Sequence, residues 1–250
     1  MQQRVISRVD DVTCKAERRV MAAAFRLAVR FDLHEAIDNH FSLAVDGERF
    51  LINPYAIHWF QLTARDLLLV DGDGRVLEGH GEVEATALHI HAAIHRQHPA
   101  AVAVFHTHMP YATAITCTES GRLEPVSQTA AMFDGRIAYD DAYGGLGDNA
   151  AEGDRLAAVM GTKPVLFMAN HGIITTGAGP AEAFNALYYI ERAARLQVLA
   201  SSTGRPLKRL SPEIVAKTAS AWAGMANHAQ RHFAALVAIL DAEEPDYAEV

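Results

Sequence analysis

Residues 100–115, AAVAVFHTHMPYATAI, bring an apolar run to an end in two histidines with one residue between them. The Val and Phe content of Ala101 to Thr107 predicts a buried strand. Side chains alternate faces along a strand, so Val102, Val104, His106 and His108 are expected on one face. A third histidine, His171, ends the apolar run in KPVLFMANHGIITTG and precedes Gly172, where backbone can turn tightly. Three neutral imidazoles converging from two strand ends suit a divalent cation with one or two coordination positions left open. An open position marks a Lewis acid that takes up substrate. The bland alternative is a buried histidine pair hydrogen-bonded to backbone, and with thirteen histidines in the chain most need no special role.

The segment before this strand carries more titratable groups. Glu84, Leu88, His91 and His95 stand at helical spacing and are expected to share a stripe. A carboxylate and an imidazole on that stripe could move protons or support the ligands from behind. The alternative is a solvated helix start whose Glu82 and Glu84 complement the helix dipole. His228 and His232 lie one turn apart near the C-terminus, where packing is the default role; Arg231, His232 and Tyr247 are expected to help cover a site at a subunit boundary.

The elements that must position these groups can be read from the pattern. The chain has 250 residues, half of them apolar and 21% charged, with a net charge of −8. That length supports one large domain, and the acidic balance disfavours nucleic acid and anionic membrane as partners. No apolar run approaches the roughly eighteen residues of a membrane span, and MQQRVISRVDDVTCKAE lacks the apolar centre of a secretory signal. The two cysteines, Cys14 and Cys117, form no motif and read as reduced thiols, so a cytoplasmic location is expected. Helical spacing covers residues 14–31. Asp46-Gly47 and the Asp71-Gly72-Asp73-Gly74 run mark two hairpins, and a helix through Val83, Ala87, Ile90 and Ile94 should end by Pro99. Residues 123–147 read as short strands and loops, and residues 150–160 as a short helix. Pro180 opens a helix to about Ser201, and a last helix is expected from about Pro212 to Leu240, followed by a polar tail. Strands and helices intermix, which predicts one α/β domain with a mainly antiparallel sheet between helices.

AVFHTHMPYATAI, followed about sixty residues later by ANHGIITTG and then by AFNALYYIERAARLQVLA, resembles the class II aldolase/adducin family. NHFSLAV, FLINPYAIHW and LLLVDGDGRVLEG resemble its N-terminal half, especially in the adducin-like bacterial branch. The resemblance runs over roughly residues 15–203. It implies a three-layer α/β/α sandwich around a mainly antiparallel sheet, one domain over residues 1–250 with a helical extension from about 205, and a homotetramer with active sites between subunits. It also implies a divalent metal, zinc first with manganese, iron or cobalt as alternatives, held by His106, His108 and His171. The Ser-Ser-Glu stretch of the family's sugar-phosphate aldolases falls on Ala85, Thr86 and Ala87, so the family glutamate is missing. HGEVEAT is acidic where a phosphate would need donors. Glu84, His91 and His40 are then the acid/base candidates. The expected function is a metal-dependent carbon–carbon lyase acting on a small, non-phosphorylated hydroxy-carbonyl or keto-acid compound. The alternatives are a decarboxylase of an aromatic or heteroaromatic hydroxy-carboxylate, an Fe(II) oxygenase on the same fold, and a non-enzymatic adducin-like module.

Overall fold

The computed structural model describes residues 12–250; most of the N-terminal stretch in which no signal was expected lies outside the described residues. Helix α1 (Lys15–Arg30) is followed by two hairpins, β1 (His40–Ala44) with β2 (Arg49–Ile52) and β3 (Leu68–Asp71) with β4 (Val76–Glu78). Aspartate closes both turns: Asp46 accepts from the N–H groups of Glu48 and Arg49, and Asp71 from those of Asp73 and Arg75. Then come α2 (Ala85–Gln97), β5 (Ala103–Thr107), α3 (Pro110–Thr116), α4 (Gln128–Ala131), β6 (Ile137–Asp140) and α5 (Ala150–Met160). The chain continues through β7 (Val165–Met168), β8 (Gly172–Gly177), α6 (Pro180–Ser201), α7 (Pro212–Ala223) and α8 (His228–Glu243).

The eight strands form one sheet in the order β4-β3-β2-β1-β5-β8-β7-β6. Every neighbouring pair is antiparallel except β6 and β7, which run parallel. The α/β class and the mainly antiparallel sheet are therefore as expected. Strand alternation divides its side chains among one large core and two smaller clusters, of which the third gathers Phe50, Ile52, Leu68 and Val70 of β2 and β3 with Ala87 of α2. Phe41, Phe105, Phe167 and Ile173 pack with Phe25 of α1, Ala112 of α3, Phe184 of α6 and Phe233 of α8. Val104, Leu166 and Ile174 pack with Ile90 and Ile94 of α2 and Leu156 and Met160 of α5. Among the described residues no helix is long and apolar enough to cross a membrane.

Four expectations change. The pleat holds only within β5: Val104 packs towards α2 and α5, Val102 joins the opposite core, and His108 lies beyond the strand end. The final helix is two helices. Gly224 ends α7, and Asn227, in the left-handed region at φ 58°, starts α8 at a new angle. The tail is not simply polar, because Tyr247 is fully buried and its hydroxyl donates to Asp241 at 2.6 Å. Finally, α3 follows directly on the histidine strand where no helix was anticipated; Pro110 at its first position was the available signal.

Candidate metal centre

The centre is built at the end of β5 that leads into α3. His40 of β1 stands opposite His106 of β5, and Ile174 of β8 flanks His106 on the other side. The His106 ring is 1% exposed and donates from Nδ1 to the Ile173 carbonyl at 3.1 Å. His108 is turned by Glu35, whose Oε2 accepts from its Nδ1 at 2.7 Å. Asn39 ties this corner together, its Oδ1 accepting from the backbone N–H groups of Glu35 at 2.6 Å and His108 at 3.4 Å. The chain after His108 is fixed from α6. Buried Glu191 accepts from the N–H groups of Tyr111 at 2.9 Å and Ala112 at 2.8 Å, two donors at the start of α3 with no partner inside that helix. Burial raises the Glu191 carboxyl pKa, and those two hydrogen bonds oppose the shift.

His171 enters from the turn between β7 and β8, where Asn170 holds the left-handed conformation at φ 55°. Its ring centroid lies 4.8 Å from that of His106 and 5.1 Å from that of His108. One ligating atom from each of the three histidines lies within 4.8 Å of the other two. The hydrogen bonds explain why the cluster suits a cation. With Nδ1 of His106 held to the Ile173 carbonyl and Nδ1 of His108 to Glu35, the two Nε2 atoms turn towards each other and lie 3.0 Å apart. Ligand nitrogens about 2.1 Å from one zinc ion can approach this closely. An outward hydrogen bond on the second ring nitrogen is also the usual orienting device for a ligating imidazole.

Electrostatics favour the neutral, ligating form of two of the rings. Burial, reinforced by neighbouring imidazoles, pushes His106 well below the usual histidine range and His171 down to about 4. Asp140 and Glu152 pull His171 the other way. Both carboxylates are occupied by Arg155, which donates two hydrogen bonds to Asp140 at 2.8 and 2.7 Å and two to Glu152 at 2.8 and 2.7 Å.

Of the three acid/base candidates, His40 and His91 come together and Glu84 stands apart. His40 lies beside His106, with ring centroids 4.7 Å apart, and burial lowers its pKa to about 3. His91 stands behind His40, its Nε2 2.7 Å from His40 Nδ1. Glu84 caps α2: its carboxylate accepts from the Ala87 N–H at 2.8 Å and from the Thr86 hydroxyl. Glu84 therefore does not sit on the His91–His95 stripe. Glu84→Ala is expected to lower stability by about 1 kcal/mol, as for loss of a side-chain cap, while zinc uptake is unchanged. Denaturant unfolding and metal analysis of the variant check this. The C-terminal candidates are held elsewhere: His232 contacts Asn185 Oδ1 of α6 at 3.0 Å, and Tyr247 is buried near α1, its ring 6.0 Å from the Arg19 guanidinium. Sequence reasoning missed Glu35, Asn39, Ser42 and Arg155. Asn39 and Ser42 stand one residue before and two after His40 in NHFS, so that four-residue pattern was a usable signal, whereas Glu35 and Arg155 reach the centre only through tertiary packing.

Comparison with known proteins fits this geometry. The Class II Aldolase and Adducin N-terminal domain model matches residues 19–198. A Pseudomonas aeruginosa protein provisionally named an aldolase class 2 protein is 31% identical over 236 residues, covering 92% of this chain and 90% of that protein. The crystal structure of an aldolase II superfamily protein from Pseudomonas syringae superposes with a TM-score of 0.87 at 33% identity, covering 94% of this chain and 96% of that one. The decarboxylase NovR of Streptomyces niveus is 31% identical over 162 residues, 64% of this chain and 59% of that enzyme. With its two histidine segments inside the matched region and the same fold carrying them, the chain belongs to the class II aldolase and adducin N-terminal domain family.

Proposed function

We propose that this chain is a divalent-metal-dependent carbon–carbon lyase of the aldolase type, acting on a small, non-phosphorylated hydroxy-carbonyl or keto-acid compound. The observation that carries the reading is the convergence of the His106 and His108 Nε2 atoms, 3.0 Å apart, with a ligating atom of His171 within 4.8 Å of both. In this reading His106, His108 and His171 hold the ion, zinc first. When bound, such an ion stabilises the negative charge that develops on substrate oxygen as a carbon–carbon bond breaks. The protein's own groups do the rest. Glu35 and the Ile173 carbonyl hold two of the rings in place, and His40, whose ring packs against that of His106, is taken as the group that exchanges a proton with bound substrate. The residues at the start of α2, Ala85, Thr86 and Ala87, offer neither cationic side chains nor a second hydroxyl for a phosphate. The same proposal takes the two helix groups as outer layers of an α/β/α sandwich, and includes a cytoplasmic homotetramer with sites between subunits, both supported by the family relationship.

A decarboxylase is the second reading, favoured by the similarity to NovR. Zinc-loaded protein incubated anaerobically with 4-hydroxy-2-keto acids and with aromatic hydroxy-carboxylates decides between them. Release of an aldehyde and a keto acid without carbon dioxide supports the lyase reading; carbon dioxide release without a carbonyl fragment replaces it with the decarboxylase. Turnover that requires dioxygen overturns both, as does a protein that takes up no metal.

A further inference from the structure

Behind the metal centre lies a continuous line of buried polar groups in which every proton can be placed. It starts at the Ala101 carbonyl, which has no hydrogen to give. His95 Nδ1 is 3.0 Å from that oxygen, so Nδ1 carries the proton and His95 Nε2 is bare. Ser42 Oγ is 2.7 Å from His95 Nε2, so the serine hydroxyl donates there. Its single proton is then used, and the contact between Ser42 Oγ and His91 Nδ1 requires His91 to donate. His91 Nε2 is left bare and accepts from His40 Nδ1 at 2.7 Å. His40 in turn is left with a bare Nε2, for which no described residue supplies a partner. Burial favours the neutral form along the line: it holds His95 down to about 4 and His91 well below the usual range, and His40 is itself only 4% exposed. A carbonyl at one end therefore dictates the tautomer at the other, three side chains away.

We propose that His95, Ser42 and His91 form a positioning chain that locks His40, whose ring lies against that of His106, in its Nδ1–H tautomer, leaving a bare Nε2 as an acceptor for a hydroxyl of the substrate. The locked acceptor discriminates by chemistry. A hydroxyl can donate to it, whereas a ketone or carboxylate oxygen in the same place sets lone pair against lone pair. The site therefore takes compounds whose chelating oxygens include a hydroxyl in preference to their keto counterparts. The substrate part rests on the lyase reading; the tautomer part does not.

Nitrogen-15 imidazole NMR of the histidine-labelled protein, with and without zinc, tests the chain directly. His40, His91 and His95 should all carry their proton on Nδ1, the minor tautomer of a free neutral imidazole in water. In Ser42→Ala, His95 should keep that state while His91 and His40 lose it and show protonated Nε2. Ser42→Thr, which keeps the hydroxyl, should preserve the wild-type pattern. A wild-type spectrum with the His40 proton on Nε2, or a His40 resonance indifferent to Ser42→Ala, overturns the inference, and neither result depends on zinc. The selection is tested with lactate and pyruvate as probes of the zinc-loaded protein. Lactate is expected to bind about tenfold more tightly, the effect of roughly one hydrogen bond, and the preference should fall to near parity in Ser42→Ala. Equal binding to the wild type, or a preference that survives Ser42→Ala, overturns the substrate part. Failure to hold zinc overturns the lyase reading and leaves the tautomer result to stand or fall by its spectrum.

Discussion

His106→Ala, purified from zinc-supplemented medium, is expected to lose stoichiometric zinc and at least about 100-fold in turnover, because charge stabilisation worth several kcal/mol goes with the ligand. The substitution has a structural cost as well. His106 is buried and its Nδ1–H satisfies the Ile173 carbonyl, so alanine leaves a small cavity and an unpaired acceptor, together about 2–4 kcal/mol. The backbone ladder that pairs β5 with β1 and β8 does not depend on that side chain. His108→Ala separates the two effects. His108 lies outside the strand, partly exposed, and its ring bonds to exposed Glu35, so its loss should remove zinc and activity to the same degree with less destabilisation. Metal analysis and denaturant unfolding of both variants check this. Stoichiometric zinc with wild-type turnover in either variant would remove the metal assignment.

The parts of this centre that were legible in the sequence are those fixed by local periodicity. His106 follows from strand alternation in an apolar run, and His171 from its place at the end of another before a glycine. The hairpins were visible because Asp46 and Asp71 can close their own turns. The long final helix was misread because its apolar spacing continues across residues 224–227, and spacing alone does not register a change of axis at Gly224 and Asn227. Glu84 was misplaced for a related reason: helical spacing put it on a stripe, while its position as the residue before the first turn makes it a cap. The chain from Ala101 to His40 was out of reach. It is assembled from three segments brought together by the register of β1 against β5 and the packing of α2 over both. Its most informative member is a backbone carbonyl, which no side-chain pattern reports.

Gly172→Ala is the second change expected to have a large effect, and it tests whether backbone proximity shapes the centre. A Cβ at position 172 would lie 2.6 Å from the Thr107 carbonyl oxygen, 2.8 Å from His108 Cδ2 and 3.3 Å from His106 Cε1. The first contact is with backbone held in the β5–β8 ladder, through the pairing of Thr107 with Ile173, so it cannot be relieved by rotating a side chain. The second pushes on the ring whose other edge is pinned to Glu35. Either β8 moves away from β5, carrying His171 with it, or the His108 ring turns out of line with His106 and breaks its bond to Glu35. Both routes widen the spacing of the three ligating nitrogens. Disturbance of the groups that orient ligands typically costs about 10- to 100-fold in metal affinity, and overpacking of this kind costs about 1–3 kcal/mol in stability. The two losses should appear together: zinc affinity measured by competition with a chelator falls by at least about tenfold, and the unfolding midpoint drops with it. An alanine variant that is less stable yet binds zinc as tightly as the wild type would mean that the strands yield without disturbing the rings, and that Gly172 serves the sheet alone.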